Sequence, residues 1–258
     1  MSMKNLFLLM LAVCLLFCGC GKKQSNEDDL SKILKRGKII VGVRDDAAPF
    51  GFRDKHGNLI GYDIDLAKKI ASGILGSESK IDFVPVTASN RILKLINGDV
   101  DILVATMSVT NRRQQVVDFA RPYYVAGQAI MVKTTSKAQG LKDFEGKRLI
   151  TVYGSTGESN LQTNVPEVEL YGCKTYPEAY AALKAGKAQG IVADDTILMS
   201  YALNDKSVKI LPKRYSQEPY AVAVRKDSAR LLNSVDYIIE NLQSTGKLTK
   251  MQEQWKIK

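Results

Sequence analysis

The chain has 258 residues, with 37 lysines and arginines against 27 aspartates and glutamates, so its net charge at pH 7 is +10. The basic residues are spread along the chain rather than grouped, which favours a solvated basic surface and argues against nucleic-acid binding. With His56 as its single histidine, the chain offers no His/Cys set for zinc and no Ser-His pair for hydrolysis. We expect no metal and no cofactor.

The N-terminus has the pattern of an export signal. An apolar run of signal-peptide length follows one lysine, and Gly19 precedes Cys20 at its end, as at a bacterial lipoprotein cleavage site. We therefore predict a signal peptide over 1–19 and lipid attachment at Cys20. Cys14 and Cys18 lie close by, so a plain signal peptide or an uncleaved anchor remains an alternative.

Residues 20–30 are polar and aperiodic, as in a lipidated N-terminus that acts as a tether. About 230 residues then remain, enough for one large domain or two ordinary lobes. Cys173 is the single cysteine of the mature chain, so no internal disulfide is expected.

From residue 38 onward, strand-like and helical patterns alternate. The apolar stripe of the first helix predicts that it packs on a sheet, with Asp63 and Asp65 away from that stripe. The rhythm predicts an α/β fold with parallel strands. The segments in order are KIIVGV, YDIDLAKKIASGIL, KIDFVPV, SNRILKLIN and VDILVAT.

A second α/β unit begins after Tyr123 and Tyr124. The strand-like run AGQAIMVK leads into KRLITVYGSTGESN, the helix PEAYAALKAGK and the run QGIVADD. EPYAVAVRK is then another strand, and an amphipathic tail extends from about Ser228 to Trp255. AGQAIMVK and EPYAVAVRK are candidates for two crossings between lobes.

A helix start near residue 110 carries two arginines. Thr110 is a candidate N-cap, but Arg113 stands where a capping box has Glu or Gln. A cation in the first turn has the wrong sign for the helix dipole, by about 0.3–1 kcal/mol. The pattern therefore predicts an anion nearby.

Seven motifs in the same order resemble the polar amino acid-binding proteins of bacterial ABC importers, solute-binding protein family 3. The resemblance covers nearly the whole mature chain. The motifs are PFGFRDKHGNLIGYDIDLAKKIA, NRI, TMSVTNRR, FARPYY, YGSTGE, GIVADD and GKLTKMQEQW.

The resemblance implies a two-lobed periplasmic-binding-protein-like fold of type II, each lobe a sheet flanked by helices. Two hinge strands would join the lobes, and the ligand would lie between them. The first lobe would comprise 31–125 and 222–258, and the second 126–221.

The resemblance also implies partners for an amino acid zwitterion. Arg113 matches the arginine that binds the α-carboxylate, and a guanidinium can bind both oxygens; Arg112 is expected in solvent. Asp194 matches the acid that binds the α-ammonium, with Asp195 as the alternative. If Asp194 has that role, Asp195 is expected to be an exposed capping residue at a helix start.

Hydroxyl groups are expected around the same ligand. Thr106 and Ser108 alternate with one residue between them, so on a strand both would face one side. They match ligand-contacting positions of the family. Ser155 and Thr156 follow a strand-like run at a predicted helix start, where hydroxyls and amides would be available.

Specificity depends on residues near the first strand. In the resembling family, binders of glutamine or histidine carry a bulky residue at the position of Ala47, and glutamine binders carry another at Ala88, so this pair is missing here. Arg44 and Arg91 instead match cations of acidic amino acid binders. Two cations in a dry cleft favour a ligand with a second carboxylate. We therefore expect glutamate or aspartate, with cystine, cysteine or glutamine as alternatives. Phe50 is a candidate for the wall of the cleft.

The resemblance implies a monomeric importer subunit, anchored outside the cell membrane, that delivers its ligand to a permease and its ATPase. An exported cyclohexadienyl (prephenate or arogenate) dehydratase is the enzymatic alternative. It would need a buried general acid, and the motifs suggest no extra carboxyl for this role. A sensor or adhesin subunit is a third possibility.

Overall fold

Two five-stranded sheets, each flanked by helices, form most of the fold in the computed structural model, which describes residues 27–165 and 167–257. The predicted signal peptide and Cys20 lie outside the described residues. None of the described helices is both long and apolar enough to cross a membrane.

The first half of the chain builds the first sheet and its helices. A small three-stranded sheet lies beside it. The elements are α1 Asp29–Arg36, β1 Ile39–Val43, β2 Asp46–Ala47, β3 Gly51–Arg53, β4 Leu59–Ile60, α2 Tyr62–Leu75, β5 Ile81–Pro85, α3 Arg91–Ile96, β6 Ile102–Leu103, α4 Asn111–Gln114 and β7 Val117–Ala126.

The second sheet follows, and the chain then returns to the first. The elements are β8 Gln128–Lys133, a 3₁₀ helix Leu141–Phe144, β9 Arg148–Val152, α5 Thr156–Asn164, β10 Glu169–Cys173, α6 Tyr176–Lys184, β11 Gly190–Asp194, α7 Asp195–Ala202, β12 Val208–Ile210, β13 Glu218–Arg225, α8 Ala229–Ser244 and α9 Lys247–Gln254.

Both sheets are mixed rather than wholly parallel. In the first, with strand order β5-β1-β6-β13-β7, β1 is parallel to β5 and β6, whereas β13 is antiparallel to β6 and β7. In the second, with order β10-β9-β11-β8-β12, β8 is antiparallel to both neighbours. The α/β prediction is confirmed. β13 runs against the other strands of the first sheet and β8 against those of the second, and each of these strands directly follows a crossing between the sheets.

The chain crosses between the sheets twice. Gly127 separates the end of β7 from the start of β8, and residues 211–217 connect β12 to β13. Residues 218–221, placed in the second lobe by the sequence analysis, pair with β7 in the first sheet. We therefore propose a lobe boundary near residue 217.

Apolar stripes fasten the helices to the sheets. In α8 the buried residues Leu231, Val235, Ile239 and Leu242 recur at helical spacing and cover the first sheet. β1 is almost continuously apolar because helices cover both faces of its sheet. This packing of helices on the two sheets therefore fixes the positions of the strand ends.

Candidate ligand-binding site

Strand ends of both sheets meet in a cleft between the lobes. In the first lobe β1 leads into Arg44, and in the second lobe β11 ends at Asp194. Open α/β sheets place ligands at such carboxyl ends, since the loops that follow the strands converge there.

Hydrogen bonds between the two lobes cross this cleft. Arg113 Nη2 donates to the carbonyl of Gly154 at 3.1 Å, and the backbone N–H of Tyr176 donates to Asp46 Oδ2 at 3.2 Å. Gly154 has φ +75°, and a Cβ there would lie 2.7 Å from the carbonyl oxygen of Ala88. The lobes are therefore closed on each other in this structure.

Arg113 lies at the centre of the cleft, buried on α4, where Thr110 caps its backbone N–H at 3.2 Å. Its Nη1 donates to the carbonyl of Ser108 at 2.7 Å. Burial lowers the pKa of the Arg113 guanidinium, while the charges of Asp194 and Glu218 oppose this shift. Two N–H donors of this guanidinium are held by the carbonyls of Ser108 and Gly154, and its other N–H groups remain for a ligand. Arg112 is exposed, as expected.

Asp194 is buried at the end of β11, where the Tyr220 hydroxyl donates to its Oδ2. Burial raises the pKa of Asp194 to about 7, and the neighbouring charge of Glu218 acts in the same direction. A cation beside this carboxylate would stabilise its ionised form. The site therefore suits the ammonium group of a ligand.

Asp195 has a different set of partners. Its carboxylate forms an ion pair with Arg214 and accepts from the backbone N–H of Thr196 at 2.8 Å and of Gly127 at 3.3 Å. The expectation that Asp195 is exposed is wrong, because the side chain packs against the crossing at Gly127. This arrangement favours Asp194 as the ammonium partner.

The predicted strand alternation of Thr106 and Ser108 is wrong. β6 ends at Leu103, and Thr106 lies in a loop with φ +46°, an uncommon conformation for a β-branched residue. The Thr106 hydroxyl donates to the carbonyl of Ala105 at 2.8 Å. Ser108 is buried in an isolated bridge with Tyr220. Both residues contact arginines through their backbone carbonyls, Thr106 to Arg91 and Ser108 to Arg113, and their contact with a ligand stays a prediction.

Ser155 and Thr156 lie at the start of α5, as expected. Ser155 occupies the N-cap position, and its hydroxyl is 3.3 Å from the Thr151 hydroxyl. Thr156 Oγ1 donates to Glu218 Oε2 at 2.8 Å and accepts from Gln128 Nε2 at 2.9 Å. The Thr156 hydroxyl therefore belongs to a buried polar network at the second crossing.

Arg44 is buried and already has an anionic partner. Its Nε and Nη2 donate to the two carboxylate oxygens of Asp46 at 2.8 and 2.7 Å. The guanidinium also stacks over Tyr176 of the second lobe, 5.2 Å from the ring centroid. Arg44 is thus part of a bidentate ion pair that reaches across the cleft.

Arg91 is 2% exposed and holds the Thr106 loop. Its Nη1 donates to the carbonyls of Ala105 and Thr106, the latter at 3.2 Å, whereas its Nε has no partner within the described residues. Burial lowers the pKa of Arg91 to about 9, and the charges of Arg113 and Arg44 add to this.

Phe50 is fully buried in an aromatic cluster. Its ring centroid lies 5.2 Å from that of Tyr220 and 5.3 Å from that of Tyr124. Tyr220 links this aromatic cluster to Asp194, because its hydroxyl donates to the Asp194 carboxylate. Ligand contact by Phe50 stays a prediction.

Two acidic residues of the site were missed by the sequence analysis. Asp63 is fully buried, although it was expected away from the packed stripe, and Glu218 is 3% exposed. The sequence pattern carried a signal for burial of both residues. Asp63 lies four and seven residues before Ala67 and Ile70 of the stripe, and Glu218 falls on the same two-residue alternation as buried apolar positions of β13. The inference that no further carboxyl lies near the cleft is therefore wrong.

The family model of bacterial extracellular solute-binding proteins, family 3, matches residues 39–258. The chain belongs to this family. The ABC transporter glutamine-binding protein GlnH of Bacillus subtilis (strain 168) is 35% identical over 266 residues, covering 98% of this chain and 97% of the relative. The glutamine-binding protein of Geobacillus stearothermophilus is 39% identical over 208 residues, covering 80% and 79%.

Solved structures of the family share the two-lobed architecture. The cysteine-binding protein from Campylobacter jejuni superposes with a TM-score of 0.85 at 31% identity, covering 88% of this chain and 92% of its own. The family 3 protein described here is accordingly a solute-binding component of an amino acid ABC transporter.

Proposed function

We propose that this solute-binding protein captures L-glutamine, or another amino acid with an uncharged polar side chain, outside the cell membrane. It acts as a monomer anchored through lipid on Cys20, and it delivers its ligand to the permease. The two relatives named above as glutamine-binding proteins support this choice of ligand.

The charge balance of the cleft carries the proposal. Three arginines, Arg44, Arg91 and Arg113, face four buried or half-buried carboxylates, and Arg44 is held by Asp46. The acidic-ligand prediction depended on two free cations near the ligand side chain. Because Arg44 is engaged in a bidentate pair, a second ligand carboxylate would meet Arg91 alone rather than two free cations. The four carboxylates are those of Asp46, Asp63, Asp194 and Glu218.

A neutral amino acid matches the remaining groups. Its α-carboxylate would bind the free donors of Arg113, with the Ser155 hydroxyl and the Thr156 amide beside it. Its α-ammonium would bind Asp194. The unpartnered Nε of Arg91 would donate to an uncharged oxygen such as the glutamine side-chain carbonyl.

Calorimetric titration of the mature protein, freed of carried-over ligand by unfolding and refolding, tests this proposal. A thermal-shift screen over the twenty amino acids, cystine and prephenate selects the ligands to titrate, because a ligand at 100 times its Kd adds about 2.7 kcal/mol of stability. Tighter binding of glutamine than of glutamate and aspartate supports the proposal. Preferential binding of an acidic amino acid or of cystine overturns it.

The same screen addresses the enzymatic alternative. Asp63 accepts from the Thr106 N–H and the Tyr123 hydroxyl, and Glu218 accepts from Thr156, Ser216 and Asn160. Both carboxylates are thus engaged by protein donors rather than directed at a substrate, which disfavours acid catalysis. If the protein nevertheless turned over prephenate, that result would show a dehydratase function. Co-purification with a receptor instead of a permease and ATPase would indicate a sensor.

A further inference from the structure

Asp63 is a buried carboxylate that the proposed contacts to the ligand do not use. It lies in the first turn of α2, with 0% exposure. Its Oδ2 accepts from the backbone N–H of Thr106 at 2.8 Å, and its Oδ1 accepts from the Tyr123 hydroxyl at 2.9 Å. Neither donor is charged, so its charge must be balanced by a cation further away.

Arg91 is the cation on the other side of the same loop. The backbone N–H of Thr106 donates to Asp63, and its carbonyl accepts from Arg91. These two contacts hold the residue at φ +46°. Burial raises the pKa of Asp63 to about 6, and it is opposed by the hydrogen bonds from Thr106 and Tyr123 and then by the charges of Arg91 and Arg44. Asp63 and Arg91 are therefore electrostatically coupled through one strained residue.

We propose that Asp63 is a positioning residue that sets ligand specificity: it balances the charge of Arg91, so the cleft prefers an uncharged polar side chain over a carboxylate. This inference rests on the proposed function, since it assumes that Arg91 faces the ligand side chain. Arg91 can then donate from Nε to a neutral oxygen, but an acidic side chain would compete with Asp63 for the same cation.

Placing two negative charges close together in a site without water is unfavourable. A ligand carboxylate near Arg91 would also lie near Asp63, and two carboxylates sharing one cation in a buried cleft repel each other. The charge of Arg44 is already balanced by Asp46, which accepts from its Nε and Nη2. Replacing Asp63 by an uncharged isostere would leave Arg91 unbalanced and ready for an anionic ligand.

Asp63→Asn is the decisive variant, because an amide keeps an oxygen for the Thr106 N–H and removes the charge. We measure Kd for glutamine and for glutamate by calorimetry at pH 8 in the wild type and the variant. The ratio of glutamate affinity to glutamine affinity should rise on the order of tenfold in Asp63→Asn. An unchanged ratio overturns the inference.

Two further variants separate charge from structure. Tyr123→Phe removes a hydrogen bond from the same carboxylate without changing its charge, so it should lower thermal stability and leave the ratio unchanged. Adding Arg91→Met to Asp63→Asn should remove the gain in glutamate affinity. A gain that persists without Arg91 contradicts the proposed coupling.

The wild type supplies the test if Asp63→Asn does not fold. The groups facing Asp63 are Arg91 from α3, Arg44 after β1, Tyr123 from β7 and the neighbouring Tyr62. The pKa of Arg91, about 9, and the raised pKa values of the two tyrosines lie above the range from pH 5 to 8. The glutamate-to-glutamine ratio should therefore rise as pH falls through about 6. Asp194 affects both ligands equally through their shared ammonium, and a flat ratio overturns the inference.

The measurements distinguish two kinds of failure. If the wild type binds glutamine more tightly than glutamate but Asp63→Asn leaves the ratio unchanged, the role of Asp63 is wrong and the proposed function stands. If the wild type prefers glutamate, the proposed function fails, and the role of Asp63 fails with it.

Discussion

The two lobes contribute to the cleft in different ways. The first lobe supplies all three arginines, and each is held by contacts within that lobe: Arg44 by Asp46, Arg91 by the Thr106 loop and Arg113 by the Ser108 carbonyl. The second lobe supplies Asp194, whose partner Tyr220 lies in the first sheet.

This difference separates positioning from closure. In the proposed site the arginines are held by contacts within the first lobe, so the α-carboxylate would be bound before the lobes meet. The anionic half is completed by contacts between lobes, so binding of the ammonium is tied to closure. Variants at Arg44 or Arg91 of the first lobe should therefore change which side chain is preferred, whereas Arg113 and the contacts between the lobes should change how tightly all ligands are held.

The largest expected effect is in the first lobe, at Arg113. Arg113→Ala leaves the ligand carboxylate without its cation, a loss of about 3–5 kcal/mol, so the affinity for every amino acid should fall by about two to three orders of magnitude or more. Calorimetric titration checks this. Arg112→Ala, a change at the exposed neighbour on the same helix, is the control and should bind as the wild type does. Unchanged affinity in Arg113→Ala would remove the carboxylate assignment.

Closure is tested by Gly154 in the second lobe. A methyl group there would lie 2.7 Å from the Ala88 carbonyl oxygen and the Ser89 Cα across the cleft. Gly154→Ala should therefore hinder closure and weaken all ligands alike, by about tenfold or more. Gly146→Ala is the matched control, because Gly146 has φ +66° but no atom within 4 Å of the added methyl group. Equal behaviour of the two variants would show that backbone strain, and not closure, causes the effect.

The pH dependence of binding tests Asp194. Its ionised form binds an ammonium group, and burial raises its pKa to about 7, so its contribution is present above pH 7 and is lost as pH falls through 7. Kd should rise by about tenfold between pH 8 and pH 6. Asp194→Asn should bind weakly with a flat profile over this range, and a pH-independent Kd in the wild type would exclude this role.

The smallest expected effect concerns the Asp46 contact between the lobes. Asp46→Asn keeps an acceptor for the Tyr176 N–H but weakens its pair with Arg44, and we expect a loss of about 1 kcal/mol, or about fivefold in affinity. The loss should be similar for glutamine and other neutral ligands in calorimetric titration. An increase in glutamate affinity alone would instead indicate that Arg44 faces the ligand side chain.

Much of the fold was predictable from local patterns. The helical stripe over 62–75 and the apolar run of β1 predicted α2 and β1 with few errors at their ends. Thr110 was correctly expected to cap the helix of Arg113. The loop conformation of Thr106 was not predictable, because its positive φ depends on Asp63 and Arg91, which are distant in sequence.

The sequence by itself determined the α/β class, the family and the presence of three arginines and several acids near the strand ends, because periodicity and motifs are local properties of the chain. Only the tertiary structure decided which acid neutralises which arginine. Asp46 is two residues from Arg44, yet their pairing depends on burial and on Tyr176 of the other lobe, and Asp63 meets the Arg91 loop only through packing. Charge in a cleft depends on distances in space, and spacing along the chain does not specify those distances.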